Sequence, residues 1–389
     1  MTAAAAGRRV LVTVMGTAFA ARLPLVMVGL AMALLLRDAG FSYGVVGAVA
    51  GAYILAMGLV SPLVGRAADR VGSGPVLVAS GAVCAATLSV MALEAARLGT
   101  VGNVVLAGVA GAAAPPVSPV LRAAVPTLST PGELTTVYAM EAALQEVLWV
   151  AGPLLVVLSV ALVSPAGAML VVAGSLAALT WAFAGVVHRR APARGGGGGG
   201  WALRSRALRR LVAAYGLLGV CFGATELSII AVLDDHGHRE LSGAVLAAWA
   251  GGSLVGGLAV ARRTRRAPHL RLPGLLAGFA LLTVPLVPLS GNAVVLSAAL
   301  FAQGLFVAPS LGTVYELVPD VVAEELLTEA FAWVASFLYA GAAAGNASAG
   351  VLASSLGASS GFLVGLAAVC GALPVAVALR RTVAAAPAA

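Results

Sequence analysis

The sequence contains no lysine, and charged residues make up only 10% of its 389 positions. A soluble domain carries about 25%, so charge this sparse excludes an ordinary water-soluble fold. Aromatic residues are also scarce, at 5%. Without lysine there is no glycine-rich phosphate loop of the Lys-containing kind, and the run Gly195 to Gly200 reads as a flexible tether. The three cysteines, Cys84, Cys221 and Cys370, stand alone inside apolar runs and form neither a disulfide framework nor a ligand spacing. His188, His236, His238 and His269 all fall between apolar runs. The loop Asp234-Asp235-His236-Gly237-His238 has the residue types of a surface metal site, but a solvated loop is the favoured reading. No enzyme constellation, metal site or cofactor is therefore expected.

What the chain does have is apolar length. Hydrophobic residues are 61% of the total, and runs near 20 residues recur from end to end. A helix of about 20 residues crosses the hydrocarbon core of a bilayer, and only helices or closed barrels satisfy their backbone there. Spans are expected over Val10–Leu36, Tyr43–Val64, Pro75–Leu93, Val101–Arg122, Thr136–Val160 and Pro165–Val187. Six more follow at Leu211–Leu233, Ala244–Ala261, Leu272–Leu289, Ala293–Val314, Thr328–Ser354 and Gly361–Leu379. Pro115, Pro116 and Pro119 interrupt the fourth span, and Gly47 and Gly51 give the second a small-residue face for close packing. The first run is too long for the apolar region of a signal peptide and is kept as a span.

The net charge of +8 comes entirely from arginine, and its placement speaks of membrane orientation rather than nucleic acid. With the N-terminus assigned to the cytoplasm, nineteen of the 23 arginines lie in cytoplasmic segments. Arg37, Arg97 and Arg239 lie outside, and Arg22 is inside the first span. The positive-inside rule then puts both termini in the cytoplasm. The all-arginine usage and the Ala, Gly and Val richness read as the codon bias of a GC-rich bacterial genome. The expected location is a bacterial inner membrane.

Between the second and third spans stands Gly65-Arg66-Ala67-Ala68-Asp69-Arg70-Val71-Gly72. It reads as a tight cytoplasmic turn, with Asp69 beside a helix end where it accepts backbone N–H bonds or pairs with a guanidinium. This segment resembles the G-x-x-x-D-R-x-G signature of the major facilitator superfamily (MFS), with Ser73 and Gly74 in place of its trailing basic residues. The resemblance implies an all-α membrane protein of twelve transmembrane helices in two pseudo-symmetric six-helix bundles. It also implies a cytoplasmic latch formed by Gly65, Asp69, Arg70 and Gly72, with Arg122 as a candidate contact at the end of the fourth span.

Internal repetition agrees with two halves. A shift of 193 residues maps Pro116 onto Pro309, Pro126 onto Pro319, Thr135 onto Thr328, Ala139 onto Ala332 and Gly152 onto Gly345. A shift of 192 maps Gly65 onto Gly257 and Arg70 onto Arg262, but sets Ala261 where Asp69 stands. The expected division is a bundle over 1–188, an Arg/Gly-rich cytoplasmic linker over 189–206 and a second bundle over 207–389.

Ionisable and amide groups inside spans are costly and carry most of the functional information. Arg22 lies near mid-bilayer and cannot shed its proton, so it requires an anion, water or carbonyl partners. The fifth span supplies Glu141, Gln145 and Glu146; the seventh has Glu226, the tenth Gln303, and the eleventh Trp333, Phe337 and Asn346. These are the candidate residues of a substrate and proton pathway, with Arg22 and Glu146 as a candidate pair and Glu226 as the alternative proton carrier. A static ion pair, and plain packing for Trp333 and Phe337, are the bland alternatives. Gly152-Pro153 resembles the core of an element found in MFS drug/proton antiporters. The expected function is a monomeric secondary transporter, without nucleic-acid partners, exporting a small organic compound against protons. Uptake or facilitated diffusion of a polar or anionic metabolite, and a non-transporting sensor or scaffold, are the rivals.

Overall fold

The computed structural model describes residues 3–130, 132–190, 200–238, 241–263 and 267–384. Most of the expected glycine tether, together with Arg239, lies outside the described residues. All regular structure among those described is helical: α1 (Ala3–Asp38), α2 (Tyr43–Val71), α3 (Ser73–Ala112), α4 (Val117–Leu128), α5 (Leu134–Leu162), α6 (Pro165–Arg190), α7 (Arg206–Asp235), α8 (Ser242–Arg263), α9 (Pro268–Thr283), α10 (Leu286–Leu289), α11 (Ala293–Gly304), α12 (Val307–Leu317), α13 (Leu327–Leu356) and α14 (Gly361–Ala384), with short 3-10 turns between some of them. Among the described residues, eleven stretches are long and apolar enough to cross a membrane.

Local chemistry sets several boundaries. Ser42, Ser205 and Asn292 cap the starts of α2, α7 and α11 by accepting backbone N–H bonds. At 40 residues, α3 would extend about 60 Å as a straight rod, twice the hydrocarbon thickness. It does not run straight, because Gly99 holds non-helical angles (φ 62°, ψ −172°). The amide of Asn103 donates to the carbonyls of Ala95 at 2.8 Å and Gly99 at 2.7 Å, occupying acceptors at this break.

Three expectations need correction. The segment Gly65–Val71 is not a turn but the last two turns of α2, and only Gly72, at φ 106°, breaks the helix. Alanine at 67 and 68 favours continuation, and nothing before Gly72 demands a left-handed angle. The fourth span does not start at Val101 and stop at Arg122: Pro115 and Pro116 separate α3 from α4, which continues to Leu128. Among the described residues Gly47 and Gly51 line no close contact, with nothing within 4 Å of where a Cβ would stand.

The chain forms two compact units. The first gathers Met1–Pro131, Val147–Gly200 and Ala323–Ser336; the second gathers Gly132–Glu146, Trp201–Val322 and Phe337–Ala389. Helices α5 and α13 therefore each contribute their first half to one unit and their second half to the other. In the first unit α2 packs on α3, and α6 on both α1 and α3, around buried Met27, Met32, Leu36, Leu88 and Met91. In the second, α14 packs on α7 and α9, and α11 on α8.

Glycine backbones make the closest approaches in the second unit. Gly219 and Gly223 of α7 lie directly against carbonyls of Leu338 and Ala342 of α13, and Gly341 and Gly345 answer from α13 against Gly216 and Val220. Small residues substitute for an absent hydrophobic force between helices in lipid by letting backbones touch. A methyl at position 223 would stand 3.0 Å from the Cα of Ala342, where no side chain is available to yield. Gly223→Ala should therefore destabilise the protein by about 1–3 kcal/mol, the usual overpacking range. Thermal unfolding in detergent reads this as a lowered Tm, with Gly47→Ala as an unaffected control.

Candidate functional site

The helical course of residues 65–71 places Gly58, Gly65 and Asp69 on one stripe of α2. That stripe meets the first half of α13 within the first unit. Ser336 Oγ donates to the Gly58 carbonyl at 2.6 Å. Gly65 lies where a Cβ would stand 2.8 Å from the Thr328 carbonyl and 3.1 Å from the Ala332 Cβ, so only glycine fits without a shift. One turn further, Asp69 accepts the backbone N–H of Thr328 on Oδ1 at 3.1 Å and that of Glu329 on Oδ2 at 2.8 Å. These are first-turn donors that the helix itself leaves unpaired, and a carboxylate there also meets the positive end of the helix dipole. Asp69 thus caps a helix 259 residues away in sequence.

Glu329 is fully buried behind this cap. Arg66 Nη1 approaches its Oε2 at 3.8 Å, and Trp333 Nε1 donates to Oε1 at 3.4 Å. Arg70 is exposed, whereas Arg122 is buried within α4. Trp333, expected as a wall of a substrate pathway, sits in this cluster of the first unit; Phe337, one turn on, belongs to the second unit and is 36% exposed.

The second unit holds the first half of α5 in a comparable way. Thr136 Oγ1 donates to the Ala261 carbonyl at 2.9 Å, and Ala139 and Ala143 pack against Gly257 of α8. Glu146, at the last position of this half, accepts a 2.9 Å hydrogen bond from Ser253 Oγ. Ser253 in turn accepts the N–H of Ala308, in the first turn of α12, at 3.2 Å. The serine hydroxyl is therefore oriented by a helix N-terminus before it meets the carboxylate. At the other end, Thr135 Oγ1 donates to Glu316 Oε1 at 2.5 Å, and Arg271 Nη2 pairs with Glu316 Oε2 at 2.5 Å. Beyond the end of α12, burial and then the charge of Glu316 push the Asp320 carboxyl up, with His269 partly offsetting them.

The other candidates are dispersed. Arg22 is 4% exposed and belongs to the first unit, while Glu141, Gln145 and Glu146 belong to the second. Glu141 is buried, Gln145 half-buried and Asn346 half-buried, and Glu226 is exposed on α7. Gln303 is fully buried; its Nε2 donates to Thr283 Oγ1 at 2.7 Å, and its Oε1 has no hydrogen-bond partner among the described residues. Sequence reasoning passed over Ser253, Thr135 and Arg271. Arg271 was visible only as one of many basic residues, and hydroxyls inside apolar runs carry no pattern.

Comparison with known proteins places this arrangement. The chain resembles, over 95% of its length, a bacterial homologue of the iron transporter ferroportin (13% identity, 99% of that chain, TM-score 0.79). It resembles the human organic anion transporter MFSD10 over the same share (16% identity, 99% of that chain, TM-score 0.73). The E. coli fucose:proton symporter FucP matches over 94% of this chain and 97% of its own, at 12% identity and a TM-score of 0.68. Identities this low speak of the fold alone. No curated protein matches the chain by sequence. The sequence profile of the Major Facilitator Superfamily matches residues 14–296, well over half of the chain. This multi-pass membrane protein belongs to the Major Facilitator Superfamily, a family of membrane transporters.

Proposed function

We propose that the protein is a secondary active transporter that works by alternating access and exports a small organic compound in exchange for protons. The observation that carries the reading is Glu146, a carboxylate inside a membrane span, hydrogen-bonded by Ser253 at the point where α5 passes from one unit to the other. Ionisable groups at such positions are costly and mark ion or substrate pathways. Arg22, buried in a different span, is the proposed substrate-binding cation. Glu141, Gln145, Glu226, Gln303, Trp333, Phe337 and Asn346 complete the proposed pathway. The fucose:proton symporter among the structural neighbours supports proton coupling as chemistry this fold accommodates.

The proposed architecture has twelve spans, with the arms of α3 on either side of Gly99 counted separately, in two related six-span repeats. Their divide lies at the segment 189–206, and both termini face the cytoplasm of a bacterial inner membrane. In this reading the cap from Asp69, with Gly65, Arg70, Gly72 and Arg122 around it, is a cytoplasmic latch. The protein works as a monomer.

A second reading, uptake of an anionic metabolite, draws on Arg22, a permanent cation suited to a carboxylate. A human organic anion transporter shares the fold. Purified protein in liposomes with an imposed pH gradient separates the cases. Proton-driven counterflow of lipophilic compounds is the expected result. Gradient-independent uptake of organic anions would favour the second reading, and no flux of either would leave a sensor or scaffold.

A further inference from the structure

Under the shift of 192 residues that maps Gly65 onto Gly257, the residue matching Asp69 is Ala261. The second unit therefore lacks the carboxylate that holds α13 in the first. The backbone beside that position still docks α5: a Cβ at position 257 would stand 3.0 Å from the Ala143 Cβ, and Thr136 donates to the Ala261 carbonyl. An alanine offers no charge, however, to the first turn of α5.

We propose that Glu316, held by Arg271, supplies the missing carboxylate, so that α5 is clamped to the second unit through the hydroxyl of Thr135. Thr135 is the residue that the shift of 193 maps onto Thr328, whose N–H Asp69 accepts. The carboxylate thus reaches the corresponding position of the docked helix from a different neighbour, α12 instead of α8. Its other contacts come from outside α5. Arg271 engages Oε2 of Glu316 at 2.5 Å, and Arg271 Nε donates to Thr313 Oγ1 at 2.9 Å. Thr313 in its turn donates to the Pro309 carbonyl at 2.7 Å, one turn back along α12. Only Oε1 of Glu316 remains for α5, and Thr135 meets it at 2.5 Å, a short charge-assisted contact. Arg271 and Glu316 are both largely buried, with side chains 8% and 12% exposed.

The two clamps differ in chemistry. Asp69 accepts two backbone N–H groups, which every residue except proline supplies, besides the Thr328 hydroxyl, so that clamp keeps its backbone contacts when position 328 is substituted. The Glu316 clamp depends on a side-chain hydroxyl, so it stands or falls with Thr135. Thr135 and Glu146 also bracket the docked half of α5, which makes Arg271 and Glu316 positioning residues for Glu146 in its contact with Ser253. Only that last consequence rests on the transport reading above.

Hydrogen exchange of the full-length protein in lipid nanodiscs tests the clamp without any substrate, so its outcome is independent of what is transported. Thr135→Val keeps the side-chain shape and removes the hydroxyl. It should raise amide exchange in residues 134–146 by about 5-fold or more, the lower end of typical coupling between sites. Thr135→Ser should restore wild-type exchange, and residues 327–336, held by Asp69, should respond less than residues 134–146. Exchange unchanged in Thr135→Val, or raised equally in Thr135→Ser, would overturn the proposal. Thr135→Val is preferred to Glu316→Gln because the latter strands the buried Arg271 charge and risks misfolding for an unrelated reason.

Discussion

Glu146→Gln should abolish transport driven by a pH gradient while leaving substrate exchange at equal pH intact. Glutamine keeps the length and an acceptor oxygen for the Ser253 hydroxyl, so the 2.9 Å contact and the docking of α5 survive. What disappears is the group proposed to exchange a proton. An ionisable group inside an apolar span is costly, and in a transporter it marks an ion or substrate pathway. Without a group that alternates between protonated and ionised forms, nothing ties a proton flux to a substrate flux. The effect is therefore expected to be a loss of gradient-driven flux rather than a modest change in rate. Counterflow in proteoliposomes, with and without the gradient, measures it. Normal gradient-driven flux in Glu146→Gln, together with its loss in Glu226→Gln, would move the proton site to α7.

Asp69→Asn should release the first half of α13 from α2. The neutral amide retains one acceptor oxygen but loses the charge that favours the N-terminus of the helix, and it cannot accept from both Thr328 and Glu329 as the carboxylate does. The change should shift the docked population by about 1–2 kcal/mol, or about 5–30-fold, typical of couplings of this kind. Spin labels at Val71 and Glu325, both at exposed positions of the first unit, should report one short distance in the wild type. A second, longer distance should grow in Asp69→Asn. A distance distribution identical to wild type would reduce Asp69 to a helix cap with no part in holding α13.

The sequence by itself determined that this chain spans a membrane many times as helices, because long apolar runs almost free of charge have no other stable backbone solution in lipid. It also marked Glu146 as a residue that needs a partner, since a charge within an apolar run cannot stand alone, and Asp69 as an acceptor for a helix end or a guanidinium. The extent of α2 was less legible: a Gly-Arg-Ala-Ala-Asp-Arg segment reads as polar turn or helix end, and its helical course depends on the face it presents to α13. Gly47 and Gly51 show the same limit from the other side, having the spacing of a packing seam but no helix against them. Only the tertiary structure decided who meets whom. Thr135 and Glu316 are 181 residues apart, Ser253 and Glu146 are 107 apart, and neither pair has a local signature. Periodicity reports which face of a helix is apolar, because burial acts on every residue of that face alike. A hydrogen bond between distant helices depends on one atom reaching another within a few tenths of an ångström, and that is settled by how glycines such as Gly65 and Gly257 let the backbones approach.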